Sequence, residues 1–284
     1  MGTKVLLAAE LGRWQEVGED LVAINVNDLA SVGARPTALV DTILCGSPDA
    51  QVFRGVGRGI ARGLAAARCS LVGGETALVG EIVRGTDLGA TALGFFPGRR
   101  RPVLGAGIRP GDRLLGLRST GLHANGFTLV RRLLREASVP LGRARPGGRR
   151  PLGEELLTAT RAYSEFVDRV ADLPGVVGLA HLSGGGVRNL IRLNARARFV
   201  LDGWPDLPPI FTWLQRLGSL SDREMFQTFN MGIGFVVVVR PGSEAVVRRR
   251  LATAGAPDAK PIGEVGSGGG VELPELGLRF HGYA

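Results

Sequence analysis

The chain has 284 residues, 44% of them apolar, enough for one large or two medium packed domains. No apolar run approaches the roughly 20 residues that span a bilayer, and Met1-Gly2-Thr3-Lys4 opens no signal-peptide pattern, so the expectation is a cytoplasmic protein with no membrane segment. The formal charge of +9 comes from arginine, with lysine only at Lys4 and Lys260; its clusters lack interleaved aromatics, which favours a solvated basic surface over a nucleic-acid face.

Residues 16–33 carry a helical pattern that stops at Gly33, with Pro36 just beyond. Leu39–Leu44 reads as a strand interrupted by Asp41, and 50–67 as a second helix. Cys69–Val72 reads as a short strand running into Gly73-Gly74, and Thr86–Phe96 as another strand. Cys45 and Cys69 show neither metal-ligand spacing nor a disulfide framework and read as reduced, buried thiols. A Gly/Pro-rich stretch with Arg99-Arg100-Arg101 places a domain boundary near residue 110, giving domains 1–110 and 111–284.

The second half opens with a strand at Asp112–Leu117, a polar loop at Ser119–Gly126 and a helix at Phe127–Arg135. A surface loop at 141–151 precedes a helix over 153–172. The strand Val176–Leu182 leads into Gly184-Gly185-Gly186 and a further helix. The strand Arg198–Leu201 and helices Pro208–Leu217 and Ser221–Phe229 follow, the last with Ser221 and Glu224 spaced as a capping box. Phe235–Val239 is the most apolar run and reads as a buried strand over 233–239. A helix at Ser243–Ala254 and a strand at Pro261–Val265 close the chain. Strands and helices intermix without regular alternation, so the fold class is α+β.

Five polar blocks interrupt this apolar framework. Gly73-Gly74-Glu75-Thr76 follows a strand: it is either a tight turn with an exposed glutamate or an anion cradle with a carboxylate for a hard cation. Asn27 and Asp28 lie in an otherwise apolar helix, where an aspartate must be solvated, paired or metal-bound. Carboxylates without cysteine–histidine spacing favour magnesium over zinc. Ser119-Thr120-Gly121-Leu122-His123-Ala124-Asn125-Gly126 joins a strand to a helix start, where amides suit phosphate; an ordinary connecting loop is the competing reading. Ala180-His181-Leu182-Ser183 ahead of the triple glycine repeats that arrangement with greater backbone access. The fifth block, Glu224-Met225-Phe226-Gln227-Thr228-Phe229-Asn230-Met231-Gly232-Ile233-Gly234, packs polar residues and two glycines against the start of the core strand.

In this order the blocks resemble the aminoimidazole ribonucleotide synthetase family, also called phosphoribosylformylglycinamidine cyclo-ligase, over nearly the whole chain. Trp213-Leu214-Gln215 and Ile262-Gly263-Glu264-Val265 also fit. The resemblance implies a two-domain α+β fold of mixed sheets with helices packed on one face, and a homodimer. It implies that ATP phosphorylates the amide oxygen of formylglycinamidine ribonucleotide, that an amidine nitrogen attacks the activated carbon, and that phosphate leaves as the imidazole ring closes. It implies ATP contacts at Asn27, Asp28, Gly73, Gly74, Glu75 and Thr76, with Mg2+ at Asp28 and Glu75. Catalytic roles fall to His181, His123 and Lys4, and substrate contacts to Ser119, Gly121, Asn125, Gly184, Gly185, Thr228 and Asn230. The small-molecule substrate leaves no role for nucleic acid or membrane.

Two departures stand out. The family's glycine-rich arm and its Asp-Gly-Val-Gly before Thr-Lys are not in this sequence, which implies weaker phosphate contacts and an exposed sheet edge. Leu78-Val79-Gly80 stands where the family commonly has Glu-Met-Pro. The alternatives are another ATP-dependent enzyme of the superfamily, selenophosphate synthetase-like or thiamine-monophosphate kinase-like, or a catalytically silent paralogue.

Overall fold

The computed structural model describes residues 1–282. Contacts divide the chain into two units: residues 1–27, 36–95 and 120–162 in the first, and 28–35, 96–119 and 163–284 in the second.

The first unit holds α1 (Lys4–Leu11), α2 (Gln15–Ala30, as far as Asn27), β1 (Arg35–Cys45, from Pro36), α3 (Ala50–Ala67), β2 (Ser70–Leu78), β3 (Thr86–Phe95), α4 (Phe127–Glu136) and α5 (Leu152–Leu157). Its sheet has the order β2-β1-β3, with β1 and β2 parallel. Asp49 starts α3 by accepting from the amides of Gln51 (2.7 Å) and Val52 (3.4 Å). Val52, Val56, Ile60 and Leu64 repeat every fourth residue and are buried, as an amphipathic helix requires. Gly55, Gly59 and Gly63 share that spacing and meet Trp14, just before α2, and Gly18 and Val22 on α2 with almost no room for a side chain. Cys45 and Cys69 are both free and buried, and burial pushes the Cys69 thiol up.

The second unit holds a seven-stranded sheet made of β4 (Arg113–Arg118), β5 (Val176–His181), β6 (Ala197–Val200), β7 (Ile233–Val239), β8 (Lys260–Ser267), β9 (Gly270–Leu273) and β10 (Leu278–Phe280). Its order is β10-β9-β6-β8-β4-β7-β5, antiparallel throughout except for the parallel pair β6/β9. Every residue of β7 is buried, as its β-branched run demands. Leu115, Val237 and Leu179 lie side by side on β4, β7 and β5. They form a core with Val167 and Val170 around α6 (Ser164–Asp168) and with Val247 and Leu251 of α9 (Glu244–Thr253). Between these lie α7 (Pro209–Leu217) and α8 (Asp222–Thr228). The expected capping box is present on α8: Ser221 Oγ accepts from Glu224 N (3.3 Å) and Glu224 Oε2 from Ser221 N (2.9 Å).

The architecture is α+β with mixed sheets. Several elements differ from the sequence expectation. β2 runs on to Leu78, so Gly73-Gly74-Glu75-Thr76 lies inside a strand and not in a turn after one. The helix expected over 153–172 is two short helices, α5 and α6, with irregular chain between them. In a continuous helix the Thr160 amide would bond to Leu156 O; it bonds to Asp20 Oδ1 instead (2.7 Å). A long-range partner therefore overrides local propensity. The helix expected after the triple glycine is a 3-10 turn, Gly186–Arg192, in which Asn189 Nδ2 donates to Gly186 O (3.0 Å). The helix α1 and the strands β9 and β10 were not expected.

Candidate active site

In the second unit, β5 ends at His181, which sits opposite Phe235 of β7 and two residues beyond the core residue Leu179. Alternation along a strand therefore puts its ring on the core face. There it meets the last turn of α2: His181 Nδ1 lies 3.1 Å from Asp28 Oδ1, with the imidazole 3% exposed and the carboxylate 69% exposed. The other ring nitrogen, Nε2, is buried without a hydrogen-bond partner. A carboxylate that accepts from Nδ1–H fixes the ring and its tautomer and leaves Nε2 to act. Buried polar atoms are nearly always satisfied, which makes this Nε2 a candidate functional group, although Ser164 Oγ and Arg198 Nε are also buried without a hydrogen bond.

The Ser119 and Asn230 blocks, 111 residues apart in sequence, meet beside the start of β7. Ser119 Oγ is 3.0 Å from Asn230 Oδ1, which also accepts from Gly232 N (2.8 Å). Ser119 N donates to Gly232 O (2.9 Å). Met231 and Gly232 both have positive φ, 47° and 93°, and Ile233 N closes the turn on Asn230 O. Such a turn favours glycine, and here Pro208 Cδ would lie 2.6 Å from any added Cβ. Asn230 is buried and its carbonyl oxygen is spent on this turn, while Thr228 is half-buried at the end of α8. After His181, Gly184 is exposed and Gly185 buried. The third glycine, Gly186, is the one that packing requires: its Cβ would collide with Phe226 O and lie 2.9 Å from Phe229 O.

In the first unit, Lys4 is fully buried and pairs with the fully buried Asp20 (Nζ–Oδ2 2.7 Å). Lys4 Nζ also donates to His123 O (3.0 Å) and Thr158 O (2.9 Å). His123 is buried, has a left-handed backbone (φ 61°), and accepts at Nε2 from Thr120 N (3.2 Å). Gly121 and Asn125 flank it, both half-buried. Asn27 is buried and donates to Arg161 O (2.9 Å). Gly73, Gly74 and Glu75 are exposed and Thr76 belongs to the same exposed strand. Asp41 on β1 leans over Gly74, whose missing Cβ is what makes room for its carboxylate, and partial burial pushes that carboxyl up.

The predicted residues are thus shared between the units. Lys4, Asn27, Gly73, Gly74, Glu75, Thr76, Gly121, His123 and Asn125 lie in the first; Asp28, Ser119, His181, Gly184, Gly185, Thr228 and Asn230 lie in the second. The structure brings together His181 with Asp28, Ser119 with Asn230, and Lys4 with His123. Among the described residues no group of three or more His, Cys, Asp or Glu could hold a metal ion alone. A cleft of about 840 Å³ between residues 97–107 and 171–177 contains none of the predicted residues. Asp20 and Thr160 complete the Lys4 cluster yet were not among the predicted site residues.

Two family descriptions match the chain: AIR synthase related protein, N-terminal domain, over residues 1–96, and AIR synthase related protein, C-terminal domain, over 109–274. The chain belongs to this family. Its relatives include the phosphoribosylformylglycinamidine cyclo-ligase of Methanothermobacter thermautotrophicus, 41% identical over 93% of this chain and 77% of that protein. That of Synechococcus sp. is 42% identical over 99% and 80%. Among solved structures the fold is similar to E. coli HypE, a hydrogenase maturation protein, with a TM-score of 0.69 and 19% identity over 93% of this chain and 78% of that one. HypE in complex with ATP is similar at a TM-score of 0.68 and 16% identity, over 93% and 78%. Among the described residues no helix is long and apolar enough to cross a membrane.

Proposed function

We infer that this chain is an ATP-dependent cyclo-ligase: it closes formylglycinamidine ribonucleotide to aminoimidazole ribonucleotide, with release of ADP and phosphate, in purine biosynthesis. The observation that carries this reading is the identity of about two residues in five with cyclo-ligases over nearly the whole chain. The similarity to HypE, below one residue in five, supports the fold alone.

An amide oxygen is a poor leaving group and phosphate is a good one, so the enzyme's task is to activate that oxygen and hold the amidine nitrogen in line. The His181–Asp28 pair suits the first half. With Nδ1–H given to Asp28, the neutral ring offers a lone pair at Nε2, and the protonated ring offers a donor to the oxygen being phosphorylated. Ser119, Gly121, Asn125, Gly184, Gly185, Thr228 and Asn230 supply the substrate contacts, and His123 sets the loop between two of them. The exposed edge strand β2 turns half of its backbone amides away from β1, at Gly73–Thr76, which suits nucleotide phosphates. Magnesium would fit these residues only as a nucleotide-borne ion, with Asp28 in one unit or Glu75 in the other as a carboxylate ligand; bound so, it would neutralise charge on the transferring phosphoryl group. Leu71, Val72 and Leu78 of β2 and Leu93 and Phe95 of β3 are large, apolar and exposed, which supports a homodimer built on this sheet. The gap between the two family matches supports a functional division near residue 110. The cytoplasm is the proposed location.

The test is a direct assay of the 284-residue chain with ATP, magnesium and formylglycinamidine ribonucleotide. The expected result is ADP release matched one for one by aminoimidazole ribonucleotide. A folded chain that binds ATP and forms no product would favour the silent-paralogue reading.

A further inference from the structure

Lys4 is surrounded by three acceptors: Asp20 Oδ2, His123 O and Thr158 O, at 2.7, 3.0 and 2.9 Å. An ammonium group has three hydrogens to donate. Lys4 is completely buried as well, and its Nζ lies 5.4 Å from the centre of the Phe127 ring. Neither geometry nor donor count leaves it a hand for a ligand. Asp20 is held at both oxygens: Thr160 N and Thr160 Oγ1 donate to Oδ1 at 2.7 and 2.6 Å, while Oδ2 has the Lys4 ion pair and no hydrogen bond.

What these residues hold is irregular backbone. His123 O and Thr158 O lie outside helices and strands, where buried carbonyls have no ladder to satisfy them. The segment 158–161 is stitched along its length by side chains of the first unit. Lys4 takes Thr158 O, Thr120 Oγ1 takes Ala159 O (2.6 Å), Asp20 takes Thr160 and Asn27 takes Arg161 O. The opposite end of the same cluster holds His123, a non-glycine residue in the left-handed region. Such a conformation costs free energy and persists only where its surroundings over-determine it. A buried ion pair is also no bargain for stability, since well-packed apolar groups of the same volume serve as well. The cluster is therefore built for position.

We propose that Lys4, Asp20 and Thr160 form a positioning unit that locks the loop 120–126 to the segment 158–161 and thereby sets the affinity for the ribonucleotide substrate. Lys4 acts through His123 and touches no reactant. This rests on the reading above that the His123 loop holds substrate.

Two variants separate position from folding. Thr160→Val removes the hydroxyl donor at nearly constant volume, and Thr160→Ser puts it back. Lys4→Met with Asp20→Asn removes both buried charges together, so neither is left unpaired. Each is examined by hydrogen exchange of the amides in 120–126 and by KM for formylglycinamidine ribonucleotide and for ATP. In Thr160→Val and in the double variant, exchange across 121–126 is expected to speed up about tenfold or more. KM for the ribonucleotide should rise about tenfold with KM for ATP within about twofold, and Thr160→Ser should reverse most of both effects. The proposal is overturned if faster exchange stays within 158–161. It is also overturned if the two KM values move together, or if only the active fraction falls. Should the unaltered protein itself form no product, the cyclo-ligase reading fails, and the exchange measurement still decides whether the two loops are coupled.

Discussion

Replacing Gly59 with alanine perturbs the crossing of α2 and α3 by a single methyl group. A Cβ there would collide with Gln15 O and stand 2.8 Å from both Glu19 N and Gly18 Cα. Ordinary contact begins at 3.4 Å, so α2 and α3 must part by at least about 0.6 Å, because every obstructing atom is backbone and none can rotate away. Overpacking of this kind costs about 1–3 kcal/mol, against a helix-propensity gain of about 1 kcal/mol for alanine over glycine. Since three atoms obstruct the methyl, the upper part of that range applies, for a net loss of about 2 kcal/mol. Gly57 is the internal control: it sits on the same helix with nothing within 4 Å of its Cβ, and Gly57→Ala should gain up to about 1 kcal/mol. Thermal melts of the three proteins should order as Gly57→Ala, unaltered, Gly59→Ala, with about 4–8 °C between the last two. Because α2 carries Asp20 and Asn27, Gly59→Ala should also weaken substrate binding. A Gly59→Ala protein as stable as Gly57→Ala would refute the close-approach argument.

Further expectations concern the site and the surface. His181→Ala should lower kcat about tenfold or more with folding intact; Asp28→Asn, which keeps the shape but weakens an exposed partner, should cost about fivefold, equivalent to about 1 kcal/mol. Asp168 is partly buried, which alone pushes its carboxyl up, but hydrogen bonds and charge from Arg35 and Arg100 hold it below the usual range. Its stabilising effect is thus complete above the unfolded carboxylate value of about 3.9 and is lost as pH falls through the lower, folded value. Asp168→Asn should therefore be about 1–2 kcal/mol less stable at pH 7, with the two stability curves converging at the acid end; parallel curves down to the lowest pH would contradict this. Val72→Glu or Leu93→Glu should give a monomer in sedimentation experiments if the exposed face of β2 and β3 joins two copies, and an unchanged mass would move the interface elsewhere.

Much of the framework was legible because local rules and tertiary structure agree. Val52, Val56, Ile60 and Leu64 mark α3 by their spacing, Ser221 and Glu224 mark the start of α8, and the run Phe235–Val239 could only be a buried strand. The polar blocks were legible as well, because histidines and asparagines beside core strands stand out from their apolar surroundings, although packing alone explains glycines such as Gly186 and Gly232. His181 was singled out in this way and Asp28 as an aspartate in need of company, and the structure places the two together.

What the sequence could not settle are the elements whose partners lie far along the chain. The pattern over 153–172 is helical, but Lys4 and Asp20, 140 and more residues earlier, take the backbone groups that a helix would have used. Gly73-Gly74 looks like a turn, but pairing with β1 draws it into a strand, with Asp41 filling the space over Gly74. Ser119 and Asn230 were read as separate contacts, and only the pairing of β4 with β7 reveals that each holds the other. Local composition determined which residues are polar, flexible or apolar, and therefore where chemistry could occur. The tertiary structure alone decided which of them meet, because a hydrogen bond between positions more than a hundred residues apart leaves no periodicity to read.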